Sequence, residues 1–308
     1  MLFRAKALNR LMIRRLSFPS RYNPSMFYLV PVEPVDYLVI GHLTDDLLPT
    51  GSRLGGTAAF SALTARALGL RVGVVTSASE TTSLASLEGI RVVRVPSPYT
   101  TTFENTATAH GRTQTLHHQA LPILLESVPE AWRSAPIVHL GPVVHEVDPG
   151  YAPQLSASLL GITPQGWMRT WDEAGRVAPQ KWESAEMLGP QAGAVVISRE
   201  DIAEDEEVIE SLAHQMRVLA VTEGAAGSVL YWNGDRRRFR APEMPEVDGT
   251  GAGDIFATAL FVRLYTTRDP WEAARFATRL ASYSVTRRGL DAIPTKKEIE
   301  DSIVEIFQ

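Results

Sequence analysis

The chain has 308 residues, 44% of them hydrophobic and 21% charged, which is ordinary for one large folded α/β domain or two small ones. Its net charge of −5 argues against nucleic-acid binding, and no apolar run in the sequence reaches transmembrane length. The absence of cysteine excludes disulfides and thiolate chemistry, and it suits a reducing cytosol.

The first 32 residues are set apart by their charge. The basic residues in this segment are Arg4, Lys6, Arg10, Arg14, Arg15 and Arg21, and no acid precedes Glu33. An arginine-rich, acid-free start is typical of a mitochondrial transit peptide, but it also fits a disordered basic tail or a true start at Met26. We therefore treat 1–32 as an extension and expect a cytoplasmic protein, or a mitochondrial one if the segment is a transit peptide.

Residues 33–308 alternate between apolar runs and amphipathic stretches, as expected of one α/β domain. Buried strands are predicted at 36–41, 72–76, 137–140, 194–197 and 218–221. Helices are predicted at 58–68, 255–265, 270–285 and 295–307, and a hairpin with an Asn233-Gly234-Asp235 turn at 228–239. This βαβ pattern predicts a mostly parallel sheet with helices on its faces.

Two segments, at about 45–56 and 92–121, are predicted to form a small β lid. The second is rich in threonine, alternates polar with apolar residues and contains a turn signal at His110-Gly111. Exposed antiparallel strands on an α/β body can exclude water from a reaction. A surface hairpin or a dimer contact is the alternative interpretation.

The most informative feature is a glycine-rich run, Val247-Asp248-Gly249-Thr250-Gly251-Ala252-Gly253-Asp254. Glycines let successive N–H groups converge on an anion, and the apolar helix that follows adds its positive N-terminus. An aspartate beside such a nest suits phosphoryl transfer, with a base to take a hydroxyl proton. No Gly-Lys-Ser/Thr follows, so the run is not a Walker A loop, and its late position argues against a dinucleotide-binding fingerprint. A tight loop without a ligand is the alternative.

Four motifs together resemble the PfkB/ribokinase family of carbohydrate kinases, over about residues 36–300. The run at 247–254 is close to the family's Asp-Thr-x-Gly-Ala-Gly-Asp signature, and 55–60 resembles its Gly-Gly turn before a substrate-side helix. The segments 221–227 and 284–289 resemble stretches that line the nucleotide pocket and a monovalent-cation loop. The resemblance implies a ribokinase-like three-layer α/β/α sandwich with a mostly parallel central sheet and a small β lid.

The resemblance also implies roles for the glycine-rich run. Asp254 is expected to be the general base that takes the proton of the substrate hydroxyl, and its helix N-terminus to keep it ionised. The N–H groups of Gly251, Ala252 and Gly253 are expected to form the anion hole for the transferring phosphoryl group.

On the substrate side the resemblance assigns sugar hydroxyls to Asp46, with Asp45 as its immediate rival. Gly55, Gly56 and Phe60 are expected to bind substrate too, although the family often has asparagine at the position of Phe60. This Gly-Gly turn, together with 101–104 and Arg112, is similar to the inositol-kinase branch. A cyclitol such as myo-inositol is therefore expected alongside sugars and nucleosides.

The donor is expected to be ATP with Mg²⁺, and K⁺ is a further candidate. The nucleotide-binding candidates are Thr222, Gly224, Gly227, Thr250, Ser284 and Gly289. The metal candidates are Asp201 and Asp248, of which Asp201 lies in a segment, 198–201, that replaces the family's Asn-x-x-Glu. Alternatively, 198–201 is a plain helix start capped by Ser198.

Three further features of the sequence favour other interpretations or none. His117 and His118 are adjacent on a predicted strand and point to opposite faces, which disfavours a histidine metal centre. The acidic run at 200–207 is interpreted as a solvated helix start, and 165–169 as a phosphate- or substrate-adjacent turn or core. A non-catalytic sensor on the same fold and a dinucleotide-dependent oxidoreductase are the rival functions. We further expect a homodimer through the lid, and we expect no nucleic-acid or membrane partner.

Overall fold

The computed structural model describes residues 32–108 and 111–303, and the side chains at 107, 108, 111 and 112 are outside this description. The strands are β1 (Tyr37–Ile40), β2 (Thr44–Leu48), β3 (Gly51–Gly55), β4 (Val72–Ala78), β5 (Arg91–Pro96), β6 (Thr101–Thr108), β7 (Gly111–His118), β8 (Ile137–Leu140), β9 (Leu159–Ile162), β10 (Arg169–Trp171), β11 (Val177–Pro179), β12 (Ala194–Ser198), β13 (Val218–Thr222), β14 (Ser228–Trp232) and β15 (Asp235–Phe239). The α-helices are α1 (Thr57–Ala67), α2 (Ala185–Leu188), α3 (Glu206–Gln215), α4 (Ala252–Thr267), α5 (Pro270–Ser284) and α6 (Lys296–Ile303).

Nine strands of the described chain form the main sheet, in the order β15-β14-β13-β12-β9-β8-β1-β4-β5. Every neighbouring pair from β13 to β5 is parallel, and β14 and β15 add an antiparallel hairpin at one edge. The central strands are short and wholly buried apolar runs, as expected where helices cover both faces of a parallel sheet. The predicted mostly parallel α/β fold is confirmed.

Two apolar cores lie on opposite faces of this sheet. Alternate residues of β1 enter different cores, with Leu38 and Ile40 in one and Tyr37 and Val39 in the other. The first core packs against α2 and α3, and the second against α1, α4 and α5. The result is the three-layer α/β/α arrangement expected from the sequence.

A separate four-stranded sheet, in the order β3-β2-β6-β7, stands at the predicted lid position. Its first hairpin matches the expected 45–56 segment. The second boundary was wrong, because β5 pairs in parallel with β4 at the edge of the main sheet and the lid resumes only at Thr101. A second small hairpin, β10–β11, extends the free edge of β7, where Leu116 N–H donates to Gly175 O at 2.8 Å.

In the described chain, short-range sequence signals predict a helix start and a hairpin turn correctly. Asp205 accepts hydrogen bonds from the N–H groups of Glu207 and Val208, so the end of the acidic run starts α3. Its beginning, Glu200–Ile202, forms a separate 3₁₀ turn. The Asn233-Gly234 turn lies between β14 and β15. Three predictions fall wholly or mostly outside the described residues: the targeting segment, of which 1–31 is not described, the turn at 110 and the end of the last helix beyond 303. No helix within 32–108 and 111–303 is long and apolar enough to cross a membrane.

Candidate active site

The candidate site lies at the carboxyl ends of the parallel strands, where loops from several strands meet. Glu146 fixes this edge, since its buried carboxylate accepts hydrogen bonds from the N–H groups of His42, Val143 and Val144 at 2.7–2.9 Å. His42 follows β1 and Val143 follows β8, so one carboxylate joins the ends of two neighbouring strands. A rigid edge of this kind can hold side chains in fixed positions around a ligand.

Asp254 lies in the first turn of α4 and is half-buried at this edge. Burial raises its pKa to about 6, and the nearby charges of Asp201 and Asp46 raise it as well. A hydrogen bond from Thr57 and the positive charge of Arg169 act in the opposite direction. Desolvation is the largest of these influences, so the pKa lies above that of a free aspartate. A carboxyl with this pKa is still mostly ionised at pH 7 and is a stronger base than a free aspartate.

The glycine-rich loop reaches α4 through Gly251, which has a left-handed backbone with φ 81°. A Cβ built on Gly251 would lie 2.3 Å from the ring of Phe60, so only glycine fits over that ring. Phe60 is 1% exposed and packs with Ile255 and Ala292. The expectation that Phe60 contacts substrate is therefore corrected, because its ring is buried beneath the loop and supports it.

The three N–H groups of the expected anion hole differ in their partners. The N–H groups of Gly251 and Gly253 have no acceptor among the described residues, as is usual just before and within the first turn of a helix. Ala252 differs, because its N–H donates to Gly249 O at 3.2 Å and belongs to the turn in this conformation. Two of the three predicted donors are thus available to an anion beside Asp254.

Asp46 faces the site from the lid strand β2. Its carboxylate is 7% exposed, accepts a hydrogen bond from Thr44 Oγ1 at 3.3 Å and is close enough to act on the charge of Asp254. A Cβ on Gly55, across the β2–β3 pair, would lie 2.7 Å from Asp46 Oδ2, so this glycine leaves room for the carboxylate. Gly56 is the residue just before α1. Asp45 points to the other face of β2, where it meets Thr82, so the geometry favours Asp46 over its rival.

Two residues around Asp254 were not among the predicted site residues. Thr57, the first residue of α1, is buried and hydrogen-bonds to the Asp254 carboxylate. Arg169, the first residue of β10, acts on Asp254 by its charge, and its guanidinium lies 6.0 Å from the ring centroid of Phe103 in the lid. The sequence held a signal for each, since Thr57 follows the Gly-Gly turn and 165–169 was singled out as a phosphate- or substrate-adjacent turn.

Asp248, a predicted metal ligand, is engaged by the protein itself. Arg53 Nη1 donates to its Oδ2 at 2.8 Å, Thr250 N–H donates to Oδ1 at 3.0 Å and Gly289 N–H donates to Oδ2 at 3.3 Å. Burial disfavours the ionised form of Asp248, but the hydrogen bonds from Thr250 and Arg53 outweigh that effect and lower the pKa of its carboxyl. The metal assignment for Asp248 is corrected, because a guanidinium already neutralises the carboxylate.

Asp201 is the metal candidate that the geometry retains. Its oxygens accept from Ser198 N–H and Gln165 Nε2, both at 2.9 Å, and its own N–H donates to Ser198 Oγ at 3.1 Å. A carboxylate with one bond to each oxygen keeps lone pairs for a cation or its waters. Mg²⁺ bound to phosphates needs few protein ligands.

The predicted nucleotide side begins where β13 ends, at Thr222. The following turn contains Gly224 and Gly227 and is held by Glu223, whose side chain pairs with Arg199 at 2.7 Å and with Arg238. Burial opposes the charge of Glu223, but the hydrogen bonds from the two arginines outweigh it and lower its pKa. This ion-pair cluster, which the motif did not reveal, fixes the loop beside the end of β12.

In the second predicted nucleotide-side segment, 284–289, the side chain of Ser284 is not placed as expected. Ser284 is 1% exposed and its Oγ donates to Ala281 O at 2.7 Å, so its hydroxyl is engaged within α5. Thr250 and Gly289 are both joined to Asp248, as described above. Arg112 is a predicted substrate residue whose side chain lies outside the described residues.

A chain of buried polar groups runs behind the site. Tyr37 Oη lies 2.9 Å from His139 Nδ1 and 3.4 Å from Thr258 Oγ1, one turn after Asp254 on α4. His139 Nε2 in turn lies 2.8 Å from Thr163 Oγ1 at the end of β9. Burial lowers the pKa of His139 to about 3, so the imidazole is neutral. The network ties the start of α4 to three central strands.

Solved structures share this fold. A myo-inositol kinase, described as pyrophosphate-dependent, superposes with a TM-score of 0.71 at 20% identity, over 87% of this chain and 98% of its own. The ribokinase of Arabidopsis thaliana, complexed with ribose and ATP, superposes with a TM-score of 0.67 at 17% identity, over 89% and 100%. The fold is that of the ribokinase-like kinases.

Sequence comparison finds a match to one kinase family over part of the chain. The family model described as pfkB family carbohydrate kinase matches residues 154–297, which include the glycine-rich run. A probable chloroplastic fructokinase-6 of Arabidopsis thaliana is 24% identical over 194 residues, 56% of this chain and 50% of that protein. The chain thus spans about half the length of the curated relatives it matches first. The PfkB/ribokinase recognition made from the motifs is confirmed.

Proposed function

We propose that this protein is a kinase that transfers the γ-phosphate of ATP to a hydroxyl of a small neutral polyol. A sugar, a cyclitol such as myo-inositol or a nucleoside is the acceptor class. The observation that carries the proposal is the half-buried carboxylate of Asp254, with its pKa near 6, beside the unpaired N–H groups of Gly251 and Gly253. A base at that position and an anion site next to it are the two parts that phosphoryl transfer to an alcohol requires.

In the proposed reaction, the acceptor hydroxyl gives its proton to Asp254 while its oxygen bonds to the γ-phosphorus. The bond from that phosphorus to the bridging oxygen breaks, and ADP leaves with the electron pair. The N–H groups of Gly251 and Gly253 donate to the phosphoryl oxygens, where negative charge is concentrated during transfer. Thr57 holds the carboxylate of the base in place.

Asp201 is the carboxylate that would hold Mg²⁺, which would neutralise charge on the donor phosphates. The donor itself is part of the proposal, since one structural neighbour is complexed with ATP and another is named as pyrophosphate-dependent. We expect turnover without K⁺, because Asp248 already has a cationic partner in Arg53. A homodimer through the lid and a cytoplasmic or mitochondrial location remain predictions.

The charges around Asp254 favour an uncharged acceptor. Asp46 and Asp201 are close enough to act on it, and Arg169 is the one cation that acts on it among the described residues. With Asp201 assigned to Mg²⁺, the carboxylates of Asp254 and Asp46 remain beside one guanidinium, and this excess of negative charge disfavours a sugar acid or a sugar phosphate. The same carboxylates are good acceptors for the vicinal hydroxyls of a polyol.

Asp46→Asn is expected to raise the KM for the acceptor by about 10–100-fold, because it replaces a charged hydrogen-bond acceptor with a neutral one. We expect a smaller change in kcat, since Asp46 does not take the transferred proton. Steady-state kinetics of the variant, with Asp45→Asn as the matched neighbour, measure this. A larger effect of Asp45→Asn would contradict the assignment.

The rate should depend on pH through Asp254. The base must be ionised, so kcat/KM is expected to fall about tenfold per pH unit below pH 6 and to level off above pH 7. Thr57→Val removes a hydrogen bond that favours the ionised form, so its acidic limb should lie at higher pH. Profiles of kcat/KM between pH 4.5 and 8.5 test both statements. An unchanged limb in Thr57→Val would show that another group titrates.

ADP release from ATP and Mg²⁺, with and without K⁺, against a panel of sugars, cyclitols and nucleosides, tests the function. A parallel series uses pyrophosphate as donor and follows phosphate release. Turnover with one acceptor class supports the proposal. Binding of donor and acceptor without turnover would point to the sensor, and binding of a dinucleotide alone to the oxidoreductase.

A further inference from the structure

Arg53 connects the lid to the glycine-rich loop, although 195 residues separate it from Asp248. It lies on β3, the outer strand of the first lid hairpin. Its Nη1 donates to Asp248 Oδ2 at 2.8 Å, and its Nη2 donates to Thr250 Oγ1 at 3.4 Å. One lid side chain therefore holds two residues of the loop that ends in the predicted anion hole.

Asp248 also accepts hydrogen bonds from two backbone N–H groups near the loop. Its Oδ1 accepts from Thr250 N–H, and its Oδ2 also accepts from Gly289 N–H. The stem of Arg53 lies against Gly289, where a Cβ would come within 3.3 Å of Arg53 Cδ. Three segments that are distant in sequence thus meet at one carboxylate, and Arg53 supplies the positive charge there.

The Arg53–Asp248 ion pair lies close to the predicted anion site, so the net charge of the pair affects that site. The Arg53 and Asp248 side chains are 27% and 17% exposed, so the pair is partly desolvated and not an ordinary surface contact. Without the guanidinium, a half-buried anion would remain three residues before Gly251. That charge would repel an incoming phosphoryl group and would release the hydrogen bonds that order the loop.

We propose that Arg53 is a positioning residue, through which docking of the lid hairpin orders the loop at 248–251. The anion site of Gly251 is then formed fully only while β3 is in place. The expected effect on the rate rests on the proposed kinase function. The ordering of the loop does not, because it can be measured without turnover. Arg53 does not touch the reacting atoms, so it should act on kcat through loop geometry.

Arg53→Ala is expected to lower kcat by about 10–100-fold, the size of effect that misplacement of a distant support can cause. The KM for the acceptor should change much less, because Asp46 is retained. Guanidinium ion at low millimolar concentrations should restore part of kcat in Arg53→Ala, by replacing the missing group beside Asp248. Arg71→Ala, which breaks the exposed pair with Asp36, is the matched control and should show neither loss nor rescue.

Amide hydrogen exchange of 248–253 gives a readout that does not depend on catalysis. The proposal is supported if exchange is faster in Arg53→Ala, if guanidinium ion reverses this change, and if exchange in Arg71→Ala equals that of the wild type. This holds even if no acceptor is turned over. Asp248→Asn in the Arg53→Ala background should abolish the rescue, since the binding charge is gone. Full activity and unchanged loop exchange in Arg53→Ala would overturn the proposal, as would loss that guanidinium ion does not relieve in a folded protein.

Discussion

Asp254→Asn is expected to lower kcat by about 10²–10⁴-fold, the contribution of a well-placed general base. Asparagine keeps the size of the side chain but cannot take the proton of the acceptor hydroxyl. The KM values should change little, because the loop N–H groups and Asp46 are retained. Rapid-mix or steady-state assays measure the loss, with Asp235→Asn, an exposed aspartate in the β14–β15 turn, as control.

The same variant should be more stable than the wild type at pH 8. The folded-state pKa of Asp254, about 6, exceeds the usual value of 3.8, so the ionised form is disfavoured in the fold and destabilises it above pH 6. Below about pH 4 the carboxyl is protonated in both states, and the difference should vanish. Asparagine removes the cost of about 1–3 kcal/mol. Urea unfolding at pH 8 and pH 4 tests this, and equal stability at pH 8 would contradict the stated burial.

Gly251→Ala is expected to lower kcat by about 10²–10³-fold, the effect of losing one donor of an anion hole. The new methyl group would lie 2.3 Å from the Phe60 ring, and the φ of 81° is itself unfavourable for alanine. The loop must therefore move away from Asp254. Overpacking and backbone strain together are expected to lower the free energy of unfolding by about 2–5 kcal/mol.

Gly234→Ala separates these two causes. Gly234 has a similar φ of 76° in the β14–β15 turn, but a Cβ there would meet nothing within 4 Å. It should show only the backbone cost of about 1–2 kcal/mol, with kcat unchanged. If the two variants were equally stable and equally active, contact with Phe60 would have no role in shaping the loop.

The sequence predicted those parts of the molecule that local pattern determines. Helix α1 was expected at 58–68 and lies at Thr57–Ala67, and the glycine-rich run leads directly into α4 as expected. Strand β5 differs, since the lid is expected from about residue 92, whereas β5 is an edge strand of the main sheet that is partly exposed along its length. Periodicity reports exposure and cannot identify which sheet a strand joins.

The site residues that were missed or corrected depend on contacts between distant segments. The pairing of Arg53 with Asp248, which removed Asp248 from the metal candidates, had no signal in either neighbourhood. Phe60 and Ser284 lie within the expected motifs, but packing turns their side chains into the protein. A motif fixes where the backbone of a site runs, and the orientation of each side chain is decided by what packs on it.

The pairing of β2 with β6 constrains the order in which this protein can fold. These strands are parallel neighbours in the lid, yet α1, β4 and β5 lie between them in the chain, so no hairpin can bring them together. The lid sheet can assemble only after β1, β4 and β5 have joined in the main sheet, because their pairing brings the two lid segments side by side. The hydrogen bonds of β2 and β6 should therefore form last during refolding and open first in native-state exchange, ahead of those of β1 and β8.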